Sequence, residues 1–324
     1  MKPSVFVHSW APDDVLSELG RHYDVDYANM FELGIIPEEE MVARAAGKDG
    51  LIVLLAPVPR AVFEGNAGTL KVCASVSVGT DNIDVKAATE SGVLVTNTAG
   101  VLDDAVADMA MGLLLAIGRR IVEADRYMRA GLFQTSGFEL FWGATVKGET
   151  LGIIGMGRIG RQVAARAKGF GLDILYHNRN RLDPALEADA NATYCPLDEL
   201  LQRAKYVILL TPLTTETHHM INADRLSLMR DDAYLINISR GPVVEEEALI
   251  EALNGGLIAG AAIDVYENEP QFAPALAELD NVVLTPHIGS GTVEVRHNMV
   301  RLAAKNLIAV LSGEPALNPV NAPD

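Results

Sequence analysis

The sequence has few cysteines, few basic residues and no long apolar run. Its two cysteines, Cys73 and Cys195, are too few for a disulfide framework or a four-ligand zinc site, and both are expected to be packed thiols. The N-terminus lacks the apolar stretch of a secretory signal. The longest candidate span, Met109–Ile117, is about half of the roughly 18 residues that a membrane helix needs. These absences predict a cytoplasmic protein without membrane contact.

The charge balance is strongly acidic. Lys and Arg number 26 against 43 Asp and Glu, which gives a formal net charge of −17 at pH 7. A chain of this charge repels nucleic-acid backbones and anionic membrane surfaces at long range, so neither is an expected partner. An anionic small molecule remains compatible with this charge if its site gathers positive charge locally.

Length and composition indicate two folded domains. The 324 residues correspond to about two domains of ordinary size. A hydrophobic content of 49% with 21% charged residues is typical of folded globular proteins. Intrinsically disordered and fibrous classes are therefore excluded.

Short apolar runs alternate with helical patterns along the chain. Many of these runs are continuously apolar, which is typical of parallel strands buried on both faces. The order predicts an α/β fold with two Rossmann-like, doubly wound parallel sheets. The predicted strands are Ser4–His8, Gly50–Leu55, Lys71–Ser75, Gly92–Thr96, Thr150–Ile154, Asp173–His177, Tyr206–Leu210, Tyr234–Asn237, Gly260–Asp264 and Val282–Leu284.

Two long helical patterns have no strand immediately beside them, which is typical of helices that bridge domains. They are Val101–Ala130 and Val293–Leu311. Boundaries at these helices make residues 1–99 and 291–324 a substrate domain. A cofactor-binding domain, residues 100–290, is predicted to be inserted into it.

A glycine-rich segment follows the predicted strand Thr150–Ile154 and precedes a helical pattern. Gly155 permits a tight turn, Gly157 lets the backbone approach a pyrophosphate, and Gly160 lets the helix pack on the strand. The free N–H groups at the start of the helix favour phosphate. The segment predicts a dinucleotide site, and the alternative is an incidental glycine turn.

The end of the next strand lacks the acidic residue that NAD-preferring folds place against the adenosine ribose. Asn178 occupies about that position, with Arg179 and Arg181 beside it. Arginine can hold a 2′-phosphate through charge-assisted hydrogen bonds, so the pattern favours NADP(H) over NAD(H). The alternative is that both arginines only decorate a solvated loop.

Three residues, each following one of the later predicted strands, are together suited to assist the reduction of a ketone. Arg240 can grip a carboxylate and polarise a neighbouring carbonyl, although a surface salt bridge is the commoner role of such an arginine taken alone. His287 can protonate a developing alkoxide when a carboxylate such as Glu269 stabilises its cation. Their joint placement after successive strands favours a catalytic role.

Six motifs, in order, carry a resemblance to a known family. They are Ser75–Asp84, Thr96–Asp108, Gly155–Gly160 (GMGRIG), Asn237–Gly241 (NISRG), Asp264–Pro270 (DVYENEP) and Pro286–Ser290 (PHIGS). Over nearly its full length the chain resembles the D-isomer-specific 2-hydroxyacid dehydrogenases. Within that family it is most similar to the NADPH-dependent glyoxylate/hydroxypyruvate reductases, including the hydroxyphenylpyruvate-reducing type.

The resemblance implies an activity and a set of catalytic residues. The implied reaction is NADPH-dependent reduction of glyoxylate or hydroxypyruvate to a D-2-hydroxy acid. Arg240 would bind the substrate's carboxylate and carbonyl, Glu269 would support His287, and His287 would be the acid/base. A homodimer is implied as well.

The resemblance also implies binding residues. Backbone amides of Val78 and Gly79 would hold the substrate carboxylate, and Leu55 is a further predicted substrate contact. Asp264 would meet the nicotinamide carboxamide. The predicted cofactor contacts are Gly155, Gly157, Arg158, Ile159, Gly160, Asn178, Arg179, Arg181, Pro212, Ile238, Ser239, Asp264 and Gly289.

Several alternatives stay open. The substrate could be a larger 2-keto acid such as 2-ketogluconate or hydroxyphenylpyruvate, and NAD(H) could replace NADP(H). A dinucleotide-sensing regulator is a rival of another class, disfavoured because the chain has no basic tail. In relatives an aromatic side chain can reach a partner's active site, and a transfer of that role to Trp142 is uncertain. The pair His218–His219 suggests metal only weakly because no third ligand lies at a useful spacing, so no metal site is predicted.

Overall fold

The computed structural model of the protein describes residues 2–134 and 137–323. The chain divides into two compact units. The first unit comprises Met1–Leu102 and Gly291–Asp324, and the second is the continuous stretch Asp103–Ser290, which is inserted into the first. In both units parallel strands alternate with helices, which confirms the predicted α/β class.

The first unit has a parallel sheet of five strands. The strands are β1 (Ser4–His8), β2 (Asp24–Ala28), β3 (Gly50–Val53), β4 (Val72–Ser75) and β5 (Leu94–Thr96), in the spatial order β2-β1-β3-β4-β5. The helices between them are α1 (Asp13–His22), α2 (Met30–Leu33), α3 (Glu38–Ala45), α4 (Arg60–Gly65) and α5 (Val85–Glu90). Every residue of β3 and β4 is buried, as expected of central parallel strands.

The second unit has a parallel sheet of seven strands. The strands are β6 (Thr150–Ile154), β7 (Asp173–His177), β8 (Ala192–Tyr194), β9 (Tyr206–Leu209), β10 (Tyr234–Asn237), β11 (Gly260–Ile263) and β12 (Val282–Leu284), in the spatial order β12-β11-β10-β9-β6-β7-β8. The helices are α6 (Asp103–Gly118), α7 (Ile121–Arg129), α8 (Arg158–Gly169), α9 (Pro184–Ala190), α10 (Leu197–Arg203), α11 (Ala223–Leu226), α12 (Glu246–Asn254) and α13 (Pro274–Ala277).

The chain returns to the first unit through one long helix. This helix, α14 (Val293–Leu311), has the predicted bounds and packs on β3 and β4. Its start is capped by Thr292, whose side-chain oxygen accepts from the amide of Val295. None of the helices within residues 2–134 and 137–323 combines the length and the apolar character needed to cross a bilayer.

The strand order of the second unit creates a crevice at the carboxyl end of β6. The chain places β6, β7 and β8 side by side in one direction and then returns to add β9 on the other side of β6. At such a reversal the connections leave on opposite faces of the sheet, and α/β proteins bind ligands in the crevice between them. Gly155, the first glycine of the predicted dinucleotide segment, directly follows β6.

The single long helix predicted for Val101–Ala130 is wrong, because the structure forms two helices, α6 and α7. Arg120 lies between them in a left-handed conformation with φ of 54°, and its guanidinium pairs with both carboxylate oxygens of Glu123 at 2.6 and 2.8 Å. Gly118 ends α6 against Tyr206, whose hydroxyl lies 3.0 Å from where a Cβ on that glycine would be. The apolar spacing continues across this turn and conceals it.

Candidate active site

The predicted catalytic residues follow three neighbouring strands. Arg240 lies beyond β10, Glu269 beyond β11 and His287 beyond β12, and these strands pair in parallel. Parallel strands end at a common edge of the sheet, so the three loops meet there. Nδ1 of His287 lies 2.7 Å from Oε2 of Glu269. A carboxylate oxygen only accepts, so Nδ1 carries the proton of this bond, and Nε2 is the ring nitrogen that is not bonded to Glu269.

The environment of Glu269 favours its charged form. Burial alone would raise the pKa of this carboxyl, but the hydrogen bond and charge of His287, the amide of Tyr266 at 2.9 Å and the charge of Arg240 outweigh burial. The pKa of Glu269 therefore lies below its ordinary value. The side chains of His287 and Glu269 are 36% and 31% exposed, so the pair is reachable from solvent.

The loop that carries His287 is folded around the carboxylate of Asp264. This residue is 1% exposed, and its carboxylate accepts from the hydroxyl of Thr285 at 2.6 Å and from the amides of Ile288 and Gly289 at 2.9 and 2.8 Å. Its carbonyl accepts from the amide of His287 at 2.9 Å. These bonds hold His287 in a left-handed conformation with φ of 52°. The predicted contact of Asp264 with a cofactor stays a prediction.

The loop that carries Arg240 is held by the side chain of Asn237. Its amide nitrogen donates to the carbonyl of Arg240 at 3.0 Å, and its oxygen accepts from the amide and the hydroxyl of Ser239 at 3.1 and 2.8 Å. Gly241 follows, and a Cβ there would lie 1.9 Å from the backbone carbonyl of Tyr266. The arginine loop is thus packed directly against the segment that leads to Glu269.

The three glycines after β6 have distinct structural reasons. Gly155 has φ of 105°, and a Cβ there would lie 2.7 Å from the backbone of Leu210, which follows β9. A Cβ on Gly160 would lie 2.5 Å from the carbonyl oxygen of Gly155, so this glycine lets α8 pack on the strand. The position of a Cβ on Gly157 has open space around it. Gly155 and Gly160 are therefore required by close packing of the backbone, and Gly157 leaves room for a ligand.

The residues after β7 differ in how firmly they are engaged. Oδ1 of Asn178 accepts from the amide of Met156 at 2.6 Å, so this side chain braces the glycine-rich segment. Arg181 makes a two-pronged pair with Glu187 at 2.7 and 2.8 Å, and this hydrogen bonding lowers the pKa of Glu187 to about 2. Arg179 is exposed at the strand end. Of the two arginines, Arg181 is thus the one already committed to a carboxylate.

The crevice at the reversal of strand order has features that suit a dinucleotide. Within the described residues, Oγ1 of Thr211, just beyond β9, is buried without a hydrogen-bond partner. Arg158 begins α8 beside the open space over Gly157, and its guanidinium lies 3.3 Å from a carboxylate oxygen of Asp103. The free amides at the start of this helix attract phosphate. The residues present therefore fit a nicotinamide dinucleotide.

Two further predicted cofactor contacts, Gly289 and Ile238, are brought together near Asp264. A Cβ on Gly289 would lie 3.2 Å from Oδ2 of Asp264 and 3.3 Å from the side chain of Ile238. Ile238 and Ser239 are both buried. Ile159 is half-buried in the first turn of α8. Pro212 is exposed, and its carbonyl accepts a hydrogen bond from the hydroxyl of Thr217.

The predicted substrate contacts Leu55, Val78 and Gly79 belong to the first unit. Leu55 is exposed and has φ of 60°, which is unusual for a branched side chain. The carbonyl of Val78 accepts from the side chain of Asn97 at 2.9 Å, and the carbonyl of Gly79 accepts from the hydroxyl of Ser77. These bonds fix the backbone between the two amides and just after them.

Trp142 lies in the second unit and is 70% exposed. Its indole nitrogen donates to the carbonyl of Phe138 at 2.7 Å. The role of Trp142 at a partner's active site stays a prediction.

Three residues that organise the site were not predicted from the sequence: Asn237, Tyr266 and Thr285. Each makes its contribution through hydrogen bonds to a neighbouring loop. Asn237 is a polar residue at the end of a buried strand, and that placement was a usable signal. Tyr266 and Thr285 show no comparable signal, because their contacts depend on how the loops fold.

A family model matches residues 111–289, and its description is "D-isomer specific 2-hydroxyacid dehydrogenase, NAD binding domain". Among curated proteins, the glyoxylate reductase of Thermococcus onnurineus is 45% identical over 327 residues, with 99% of this chain and 96% of the relative covered. The glyoxylate reductase of Pyrococcus furiosus is 46% identical over 319 residues, covering 97% and 94%.

Solved structures are similar over the same length. An NADPH-dependent glyoxylate/hydroxypyruvate reductase from Sinorhizobium meliloti, in complex with NADP and malonate, has a TM-score of 0.87 at 34% identity and covers 99% of this chain and 97% of its own. A glyoxylate reductase from Paecilomyes thermophila has a TM-score of 0.87 at 31% identity, covering 99% of both chains.

We predict that Gly241→Ala destabilises the protein. The new Cβ would overlap the backbone of Tyr266, and overpacking of this kind costs about 1–3 kcal/mol of the free energy of unfolding. Gly169→Ala is the matched control, because a Cβ at that helical position meets nothing within 4 Å. Urea unfolding of both variants measures the difference. Equal unfolding midpoints for the two variants would contradict the close packing at Gly241.

We predict that Glu269 gives the stability a dependence on acidic pH. Its pKa is lower in the folded chain than in the unfolded one, so its contribution is full above the unfolded value of about 4.3 and is lost as the pH falls through the folded value. The Glu269→Gln variant should therefore lose less stability than the wild type on acidification. Urea midpoints between neutral and acidic pH test this, with Glu139→Gln at an exposed glutamate as the control. Parallel curves for wild type and Glu269→Gln would refute it.

Proposed function

The chain belongs to the D-isomer specific 2-hydroxyacid dehydrogenase family, as its motifs predicted, and we propose that it reduces glyoxylate or hydroxypyruvate to the D-2-hydroxy acid. NADPH is the proposed reductant. The observation that carries the proposal is the pair of His287 and Glu269 at 2.7 Å, with Arg240 on the adjoining loop. This arrangement joins a proton donor to a carboxylate-binding cation.

Arg240 has the role of binding and orienting the substrate. Its guanidinium can bond to the substrate carboxylate with two parallel hydrogen bonds and polarise the adjacent keto oxygen. A nicotinamide cofactor, when bound, supplies the hydride to the keto carbon. The hold of Asn237 on the Arg240 carbonyl keeps the loop in place while substrate enters.

His287 has the role of proton donor to the keto oxygen. Its Nδ1 is engaged by Glu269, so Nε2 is the nitrogen that can give up a proton. The carboxylate of Glu269 stabilises the imidazolium form and fixes the ring orientation. In the reverse direction the same nitrogen accepts the proton of the hydroxy acid.

The first unit contributes to this proposal through Leu55, Val78 and Gly79 as substrate contacts. The two backbone amides suit a carboxylate, and Leu55 is an apolar side chain that can limit substrate size. The support for Val78 and Gly79 is the family resemblance of Ser75–Asp84, whereas Leu55 is proposed only from its own apolar side chain.

The preference for NADPH rests on the residues after β7. An acidic residue would repel a 2′-phosphate, and this strand ends in Asn178 and Arg179 instead. Arg179 is exposed, whereas Arg181 is paired with Glu187. We therefore assign the 2′-phosphate to Arg179. The relative from Sinorhizobium meliloti, whose structure contains NADP, supports the choice of cofactor.

We predict that His287→Asn lowers kcat for hydroxypyruvate reduction by roughly 10²–10⁴-fold, the usual contribution of a general acid. Initial rates of NADPH oxidation with glyoxylate, hydroxypyruvate and larger 2-keto acids measure the loss. His22→Asn, at an exposed position in the first unit, is the control.

Near-normal turnover in His287→Asn would exclude His287 as the acid. If the wild type turns over only the larger 2-keto acids, the proposed chemistry stands and the proposed substrate is wrong. Absence of turnover on all of them would favour a dinucleotide-sensing protein instead.

We predict that Arg179→Ala raises KM for NADPH roughly 10–100-fold, the loss expected for charged hydrogen bonds, and changes KM for NADH little. Arg181→Ala is the matched control, since its guanidinium is engaged by Glu187 and it should leave the NADPH/NADH ratio of kcat/KM nearly unchanged. Kinetics of both variants with both cofactors test the assignment. If the NADPH/NADH ratio of kcat/KM changes in Arg181→Ala but not in Arg179→Ala, the 2′-phosphate contact is Arg181 instead.

A further inference from the structure

We propose that His218, His219 and Glu267 form a zinc-binding site at the surface of the second unit. Each residue offers one donor atom, and these imidazole nitrogens and the carboxylate oxygen all lie within 4.8 Å of one another. The sequence predicted no metal at the histidine pair because no third ligand lay at a useful spacing. The structure supplies the third donor from Glu267, 48 residues beyond His219.

The separations between the donors suit a small tetrahedral cation. Nε2 of His219 lies 2.6 Å from Oε1 of Glu267, and the rings of His218 and His219 are stacked with centroids 4.0 Å apart. Zinc with nitrogen and oxygen ligands at about 2.0–2.2 Å in tetrahedral geometry places neighbouring donors roughly 3.3–3.6 Å apart. Nε2 of His219 and Oε1 of Glu267 would therefore move apart by about 1 Å to admit the ion, and the present separations of all three donors bracket the required spacing.

The backbone around the site holds two of the donors in place. The amide of His219 donates to the carbonyl of Pro242 at 2.7 Å, and His219 itself has φ of 48°. The second oxygen of Glu267 accepts from the amide of Glu246 at 3.2 Å. The donors thus come from the loops that follow β9 and β11, and both loops are fixed to the chain that follows β10.

The donor set favours zinc over calcium and magnesium. Two imidazoles and one carboxylate match the ligands of three-residue zinc sites, in which water takes the fourth position. Calcium and magnesium prefer all-oxygen sites and are disfavoured here. Both cysteines, Cys73 and Cys195, are buried, so they do not offer a competing surface site.

Zinc at this site would join two loops. One loop carries His218 and His219, and the other carries Glu267 two residues before Glu269. An ion bound only by the folded chain raises its thermal stability, and the gain grows with the logarithm of the free ion concentration once this exceeds Kd. The site therefore has a readout that does not depend on turnover.

The test is a calorimetric titration of the metal-free, full-length protein with zinc chloride. We expect one zinc ion per chain and a rise of Tm with zinc. His218→Ala is the principal variant, because this exposed residue can be shortened without loss of core packing. It should weaken zinc binding by more than about tenfold, as should Glu267→Gln, and both should remove the rise of Tm. Substitution of cobalt for zinc should give the visible absorption of tetrahedral coordination.

Two controls make the outcome decisive. His22→Ala removes an exposed histidine of the first unit, and His287→Asn removes the histidine of the catalytic pair. Both should bind zinc as the wild type does. Wild-type affinity in His218→Ala, loss of binding in His287→Asn, or no uptake by the wild type up to millimolar zinc would each overturn the proposal.

Discussion

The buried carboxylate of Asp264 is the interaction on which the candidate site depends. A carboxylate that is 1% exposed has lost nearly all its water, so its oxygens must find donors within the protein. The donors are the hydroxyl of Thr285 and the amides of Ile288 and Gly289. All three belong to the loop of His287, so satisfying Asp264 requires that loop to wrap around it. The histidine is held at an unfavourable φ as a consequence.

The remaining parts of the site connect to this loop through short contacts. His287 bonds to Glu269, and Glu269 accepts from the backbone of Tyr266. The carbonyl of Tyr266 in turn packs where a side chain on Gly241 would stand, next to Arg240. The arginine, the glutamate and the histidine are therefore positioned together, and the packing at one loop limits the movement of the other two. Arg240 and His287 keep a defined relative position for this reason.

Local patterns in the sequence predicted the parts of the structure that depend on neighbours along the chain. Buried parallel strands, the turn at Gly155 and the bounds of α14 are of this kind. The patterns miss β2 and β8, which lie at sheet edges and are only partly apolar, and they miss the left-handed turn at Arg120. They also miss side-chain contacts made through loops, such as the pair of Arg181 with Glu187 and the approach of Glu267 to His219. Those contacts depend on loop conformations, which no spacing of residues encodes.

The protein has a net charge of −17, yet its proposed substrate is an anion. The two are compatible because the contacts proposed for the substrate act at short range. Exposed charges more than about 8–10 Å apart are largely screened in physiological salt, so most of the acidic surface has little effect within the site. In the proposed role, Arg240 would act at hydrogen-bond distance, where the low polarity of a half-buried loop would strengthen its attraction for the carboxylate. Arg179, the proposed 2′-phosphate contact, is exposed at the end of β7 and would act through direct hydrogen bonds, with Asn178 in place of a carboxylate. In this proposal the selection of an anion is a property of two loops rather than of the protein surface as a whole.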